Sequence, residues 1–294
     1  MSLEIKTNKK QRYKALYLAL QIENERLKKE LEKTKNELEK VRKSFLSLTN
    51  KNTAQNGYKE ENMVCDDLNG NHEIHTLMYE FIGNDFDKCS RVEGTHKCDI
   101  MSNDTHLRAQ VKKFKNGQFQ QLHRQWANNF IQHIPGLEKE SQLLTDMCEY
   151  PLLPNGTHVD KSIPIKPLKE THYSGERLAQ FTNTINENKM EILKYAFLGN
   201  NPEVQPDYLI GVEYVNEKRI RLVAMKVSDI LDYLKTLDFK IKKKGTVITL
   251  GDNGVISIQR KGGDGGRKAS NQLQIKIIVS VLIANVKHIK FNYE

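Results

Sequence analysis

The sequence predicts an α+β fold with an α/β core: a mixed β-sheet flanked by helices, behind an N-terminal coiled-coil helix. Three observations predict it. An apolar heptad runs without a break over residues 13–48. Beyond it, short runs of alternating apolar and polar residues end in turn formers, as at residues 208–215 and 220–227, which is the mark of strands. Between such runs lie stretches with apolar residues every three or four positions, the spacing of a helix laid against a sheet.

The chain has 294 residues, 46 Lys and Arg against 37 Asp and Glu, and a net charge of +9. That excess favours a polyanionic partner, most simply nucleic acid, although a soluble basic protein without such a partner carries the same count. The four Cys are scattered without CxxC spacing. No apolar run reaches the length that spans a bilayer. The expectation is an intracellular, cytoplasmic protein with reduced thiols and no membrane partner.

The heptad comes first. With Asn24 at position a, the a and d positions read Tyr13, Tyr17, Leu20, Asn24, Leu27, Leu31, Thr34, Leu38, Val41, Phe45 and Leu48. Glu23, Glu30 and Glu37 at g would face Lys28, Lys35 and Arg42 at e of a parallel partner. A lone Asn at a favours two parallel strands. A homodimer through a parallel coiled coil is therefore expected. The competing arrangement is one amphipathic helix folded back on its own domain.

Residues 47–57 (SLTNKNTAQNG) are polar without periodicity and read as a linker. Residues 58–68 read as a helix with Met63, Val64 and Leu68 available for burial. Residues 75–86 read as a helix end and a turn at Gly83. Residues 117–133 (GQFQQLHRQWANNFIQH) read as a helix: Phe119, Leu122, Trp126 and Phe130 recur at three and four. Its other face carries Gln120, Gln121, His123, Arg124 and Gln125, which suit phosphate and base-edge contacts or simply solvent. Residues 150–175 hold four of the seven Pro and read as loops. Residues 175–198 read as a helix, and Ser228 as the cap of a helix over 229–237. Residues 239–241, 246–250 and 255–260 read as strands. The stretch 260–274 (RKGGDGGRKASNQLQ) reads as a basic glycine-rich loop between two strands. Arg260, Lys261, Arg267 and Lys268 supply charge there, and Asn271 and Gln272 can read bases. A plain hairpin loop is the alternative. Residues 274–286 close the chain as a buried β-type run.

The chemistry is concentrated in residues 93–119. Two short apolar pieces, 97–101 and 107–112, flank the turn formers Ser102-Asn103-Asp104-Thr105, so a hairpin is expected. Residues two apart on a strand share a face. Gln110 and Lys112 therefore lie together, and the neighbouring strand can bring Asp99 beside them. A carboxylate, an amide and a Lys on one patch can hold a hard cation and an attacking water.

Asp99 followed by Gln110-Val111-Lys112 resembles the PD-(D/E)xK nuclease signature, in the D…QxK form that Mrr-like restriction nucleases carry. Cys98 stands where Pro gives that signature its name, and Gln110 stands where most members have an acid. The resemblance implies a restriction-endonuclease-like fold and a type II, Mg²⁺- or Mn²⁺-dependent endonuclease acting on double-stranded DNA. It implies Asp99, Gln110, Lys112 and a helix acid as catalytic residues, with Asp99 and the helix acid on the metal. The pattern G-x-x-x-E-x-x-V-x-x-x-L assigns the helix acid to Glu61 rather than Glu60. Lys113 and Lys115 are expected on the DNA backbone. The expected division is a dimerisation helix over 1–50, a catalytic core over 51–160, and its continuation with DNA-recognition elements over 161–294. Because Gln110 removes one charge from the metal site, the alternative is a nucleic-acid-binding protein whose nuclease-like site is silent.

Overall fold

The computed structural model describes residues 2–94, 96–147, 175–241, 247–260 and 272–294. The chain divides into two compact units, Met1–Asn56 and Gly57–Glu294.

Helix α1 runs over Ser2–Gly70. The 47–57 segment, expected as a linker, is helical. It contains no Pro, and polarity alone does not interrupt an i→i−4 ladder. In the first unit the heptad residues Tyr17, Leu20, Leu27, Leu31 and Leu38 are all exposed. The side chains of Tyr13, Val41, Phe45 and Leu48 lie outside the described ones.

The second unit is built on two sheets. Helix α2 (His72–Ile82) starts at Asn71, whose side chain accepts from the Glu73 and Ile74 N–H groups, and ends at Gly83 in the left-handed region. Then come β1 (Cys89–Arg91), β2 (Ile100–Ser102), β3 (Arg108–Phe114) and β4 (Phe119–Trp126). After them follow α3 (Ala127–His133), α4 (Ser141–Met147), α5 (Gly175–Glu187) and α6 (Lys189–Leu198). The rest is β5 (Tyr208–Val215), β6 (Lys218–Lys226), α7 (Val227–Lys235), β7 (Phe239–Ile241), β8 (Ile248–Leu250), β9 (Ile256–Arg260), β10 (Gln272–Ile278), α8 (Val279–Asn285) and β11 (His288–Asn292).

The first sheet has the order β1-β2-β3-β5-β6-β11 and the second β4-β10-β9-β8-β7. Every pairing is antiparallel except β3 with β5, so the first sheet is mixed. A parallel neighbour needs a crossover; here it contains β4 and the helices α3 to α6. Strand β5 is buried on both faces along nearly its whole length, as a central strand should be. Ala109, Val111, Ile210, Val212, Leu222 and Ala224 face a core closed by Val64 and Leu68 of α1 and by Ile74 and Met78 of α2. Phe114, Leu209, Val223 and Met225 face the other core, shared with the second sheet. Gln110 and Lys112 alternate onto that second face.

Several elements differ from expectation, each for a physical reason. Residues 119–126 form the strand β4, and the helix α3 starts only at Ala127. Against β10, His123 faces Ile275 and Gln121 faces Lys276, so Leu122 is an extra, bulged residue. A bulge breaks strict alternation, and the resulting spacing mimics a helical one. Residues 175–198 form two helices separated at Asn188. Helix α7 starts two residues earlier than expected, with Lys226 at its N-cap, and Ser228 lies inside it. The final β-type run is a strand only to Ile278 and a helix thereafter, since a short apolar run fits either state. Strand β11 was not anticipated.

Candidate active site

The β2–β3 hairpin brings Asp99, Gln110 and Lys112 together. The Asp99 N–H donates to the Ala109 carbonyl at 2.8 Å, which locks the residue beside β3. Its carboxylate then accepts from the Val111 N–H at 2.8 Å, so the side chain is fixed by backbone. Lys112 Nζ stands 3.8 Å from the same oxygen, and both side chains are largely enclosed. Gln110 is buried, and its Oε1 has no hydrogen-bond partner among the described residues.

These three residues line one cleft of about 500 Å³. Its opposite wall is β4, through Gln121, Leu122, His123, Arg124 and Gln125. Its floor and rim include Lys97, Tyr195, Gly199 and Asn200.

The two acids near the end of α1 have separate surroundings. Glu60 is buried, accepts from the Tyr214 hydroxyl at 2.5 Å and lies 3.5 Å from the Arg219 guanidinium. Arg219 also pairs with Asp67 at 2.6 Å, and the Tyr293 hydroxyl donates to Asp67. That network fixes the helix to the sheet. Glu61 is half-buried, and its carboxyl is pushed up to about 7, first by burial and then by the charge of Asp99, against Arg91 and Lys112. Glu61 is therefore the acid whose charge reaches Asp99.

Among the described residues, no three His, Cys, Asp or Glu side chains group as metal ligands. The oxygen donors on offer are the Asp99 carboxylate, the Gln110 amide and the Glu61 carboxylate. A carboxylate held by backbone, a second one raised first by burial and then by the charge of Asp99, and a buried amide oxygen without a partner among the described residues are what a hard divalent cation would satisfy. The residues fit such an ion, with two charges rather than three.

The expected DNA contacts fall into three groups. Arg124 and His123 line the cleft, from a strand rather than a helix. Arg124 is exposed, whereas His123 is half-buried with its ring edge-on to Tyr195 at 4.5 Å. Burial, with the charges of Lys97 and His133, pushes the His123 imidazole down to about 3, so it is neutral. Gln120 sits on the same strand but outside the cleft lining. Lys113 lies on the other face of β3, its Nζ 3.6 Å above the Tyr214 ring, and Lys115 pairs with Glu217 at 3.0 Å. Lys261, Arg267, Lys268 and Asn271, with the Arg260 side chain, lie outside the described residues. Gln272 opens β10 opposite Trp126.

Lys97, Tyr195 and the Gly199–Asn201 segment were not singled out by sequence. Lys97 had a readable signal, since it stands two residues before Asp99 in an extended segment. Its Nζ donates to the Leu122 carbonyl at 2.9 Å and the Ala196 carbonyl at 2.6 Å. Burial, helped by Lys112, pushes its ammonium well below the usual range. Tyr195 and the loop after α6 come from far along the chain and had no local signal.

The crystal structure of the restriction endonuclease MspI in complex with its cognate DNA is similar, with a TM-score of 0.44 and 10% identity over 69% of this chain and 77% of that one. No curated protein matches the chain. The family model of the R.HinP1I restriction endonuclease matches residues 97–283, which begin at the cleft lysine and take in the hairpin, the second sheet and the first sheet apart from its edge strands β1 and β11. With that match over more than half of its length, the chain belongs to the R.HinP1I restriction endonuclease family.

Proposed function

We propose that the protein is a type II, site-specific endodeoxyribonuclease that needs a divalent metal, Mg²⁺ or Mn²⁺, and works as a homodimer on double-stranded DNA. The observation that carries this reading is the cleft in which Asp99, Gln110 and Lys112 face the polar and basic strand β4. Family membership supports the reaction class.

Asp99, Glu61 and the Gln110 amide would hold the ion. When bound, such an ion polarises a phosphodiester oxygen and acidifies water near neutral pH. The chain's own residues do the rest. The Val111 N–H fixes the Asp99 carboxylate. Lys112 sets an ammonium beside it, where it can orient a water and offset negative charge growing on the phosphate. Arg124 and the Gln121 and Gln125 side chains, on the opposite wall, are placed for phosphate and base-edge contacts. The exposed heptad leucines of α1 suit a second copy of the chain, because Glu at g and Lys or Arg at e complement each other in parallel register. A symmetric dimer implies a palindromic or near-palindromic site.

The test is incubation of the purified protein with plasmid and phage DNA, with Mg²⁺ or with EDTA, beside Lys112→Ala. Discrete fragments that need both Mg²⁺ and Lys112 are expected. DNA left intact by Mg²⁺ and Mn²⁺, yet retarded on a gel, would overturn the catalytic reading in favour of a binding protein with a silent site.

A further inference from the structure

Lys97 makes an unusual set of contacts. One bond goes to Leu122, the residue of β4 that has no opposite number on β10. The other goes to Ala196, in the last turn of α6, where carbonyls have no partner within the helix. The chain after α6 is shaped around it. Gly199 has a φ of +69°, and a Cβ there would come within 2.9 Å of Lys97 Cγ. One ammonium thus joins the segment that carries Asp99, the bulge of β4 and the end of α6.

A bulge re-aims the side chains on either side of it. Here those are Gln121, His123 and Arg124, which form the wall opposite Asp99 and Lys112. Among the described residues, strand β4 is an edge strand, paired with β10 alone. The Leu122 side chain is buried in the core, and the Lys97 ammonium holds the backbone carbonyl of the same residue, so the two together set where the wall points.

We propose that Lys97 is a positioning residue that pins the Leu122 bulge and so aligns the DNA-reading wall of β4 with the catalytic hairpin. The proposal rests on the nuclease reading, because it assigns β4 to DNA. It separates the two functions of the cleft: Lys97 donates to the backbone carbonyls of Leu122 and Ala196, and discrimination among sequences depends on that anchorage.

The experiment uses the full-length protein as wild type, Lys97→Met, Lys97→Gln and the surface control Lys194→Met. Lys97→Met keeps the aliphatic stem and removes every donor; Lys97→Gln can still reach one carbonyl. Amide hydrogen exchange without DNA is the first measurement. Faster exchange across residues 121–126 is expected in Lys97→Met, with β8 and β9 still protected, and an intermediate effect in Lys97→Gln. The emission of Trp126, the chain's single Trp at the end of β4, should shift to longer wavelength. The second measurement is kcat/KM on the wild type's mapped site and on a site differing by one base pair. Their ratio should fall about tenfold or more, the discrimination that one bidentate base contact supplies. Lys194→Met should behave as wild type. Unchanged exchange at β4, or loosened β4 with an unchanged ratio, overturns the proposal. If Lys97→Met does not fold, Lys97→Gln carries both measurements. If the wild type itself leaves DNA intact, the nuclease reading has failed, and the exchange and emission data alone decide whether Lys97 pins the bulge.

Discussion

Lys112 and Asp99 are 3.8 Å apart in a half-enclosed cleft, so each is set for a charged partner that water does not fully screen. Lys112→Ala should lower the single-turnover cleavage rate by at least about a hundredfold, the range seen when one preorganised charge-stabilising group is lost. Its fluorescence-monitored affinity for DNA in Ca²⁺ should change far less. Gln110 carries the second residue-scale prediction. Gln110→Glu puts a carboxylate at a buried position whose Oε1 lacks a partner. In EDTA the variant should be less stable by roughly 2 kcal/mol, the order of an unsatisfied buried group. Added Ca²⁺ should raise its Tm by more than that of the wild type, because a ligand that binds only the folded state stabilises it. Equal Ca²⁺ shifts would remove Gln110 from the proposed metal site. His123 gives a pH effect. Its imidazole is held neutral, with a value of about 3 against an ordinary 6.5. Between those values the unfolded chain binds a proton that the folded one does not. Its contribution is therefore intact above about pH 6.5 and is lost as pH falls toward 3. His123→Gln should flatten the fall of urea-determined stability between pH 6.5 and 4, and an unaltered slope would assign that fall to other groups.

At the scale of elements, β3 and β5 are the frame. The hairpin puts Gln110 and Lys112 on one face, and β5 buries the strand that carries them. Gly211 sits opposite Lys112 in that pairing. A Cβ at Gly211 would meet Phe114, Val223 and Val279 side chains at 3.0–3.1 Å. Gly211→Ala should cost about 1–3 kcal/mol in urea unfolding, the usual penalty for overpacking a filled core. It should also lower activity, because the displaced neighbour is the strand that carries Gln110 and Lys112. Stability equal to the wild type would mean that the three side chains yield without strain. Strand β4 shows the opposite principle. Its geometry depends on a bulge and on an anchor from elsewhere in the chain.

For the whole molecule, the heptad is the main unspent feature. Tyr17, Leu20, Leu27, Leu31 and Leu38 stay exposed within one chain, a row of apolar surface along α1. If a second copy covers it, the double variant Leu27→Glu, Leu31→Glu should sediment as a monomer at concentrations where the wild type is a dimer. Double-strand cleavage should then give way to nicking. An unchanged sedimentation coefficient would leave the heptad without a self-partner. No helix among the described residues is long and apolar enough to cross a membrane.

The sequence by itself determined what local spacing encodes. The Asp99–Lys112 hairpin was legible because turn formers separate two short apolar pieces and i, i+2 spacing fixes a shared face. The choice of Glu61 over Glu60 as the helix acid came from the pattern of a known family rather than from local spacing. The heptad was legible because its period persists for five turns of the repeat. What tertiary structure alone decided lies where pairing overrides pattern. Residues 119–126 became a strand because β10 offered a ladder, and the bulge at Leu122 had hidden its alternation. Tyr195 and Gly199 joined the cleft because α6 ends beside the hairpin, roughly a hundred residues on in the chain, where Ala196 accepts from Lys97. No local signal can carry such a contact, since its energy comes from groups the sequence keeps apart and only the closed fold brings within reach.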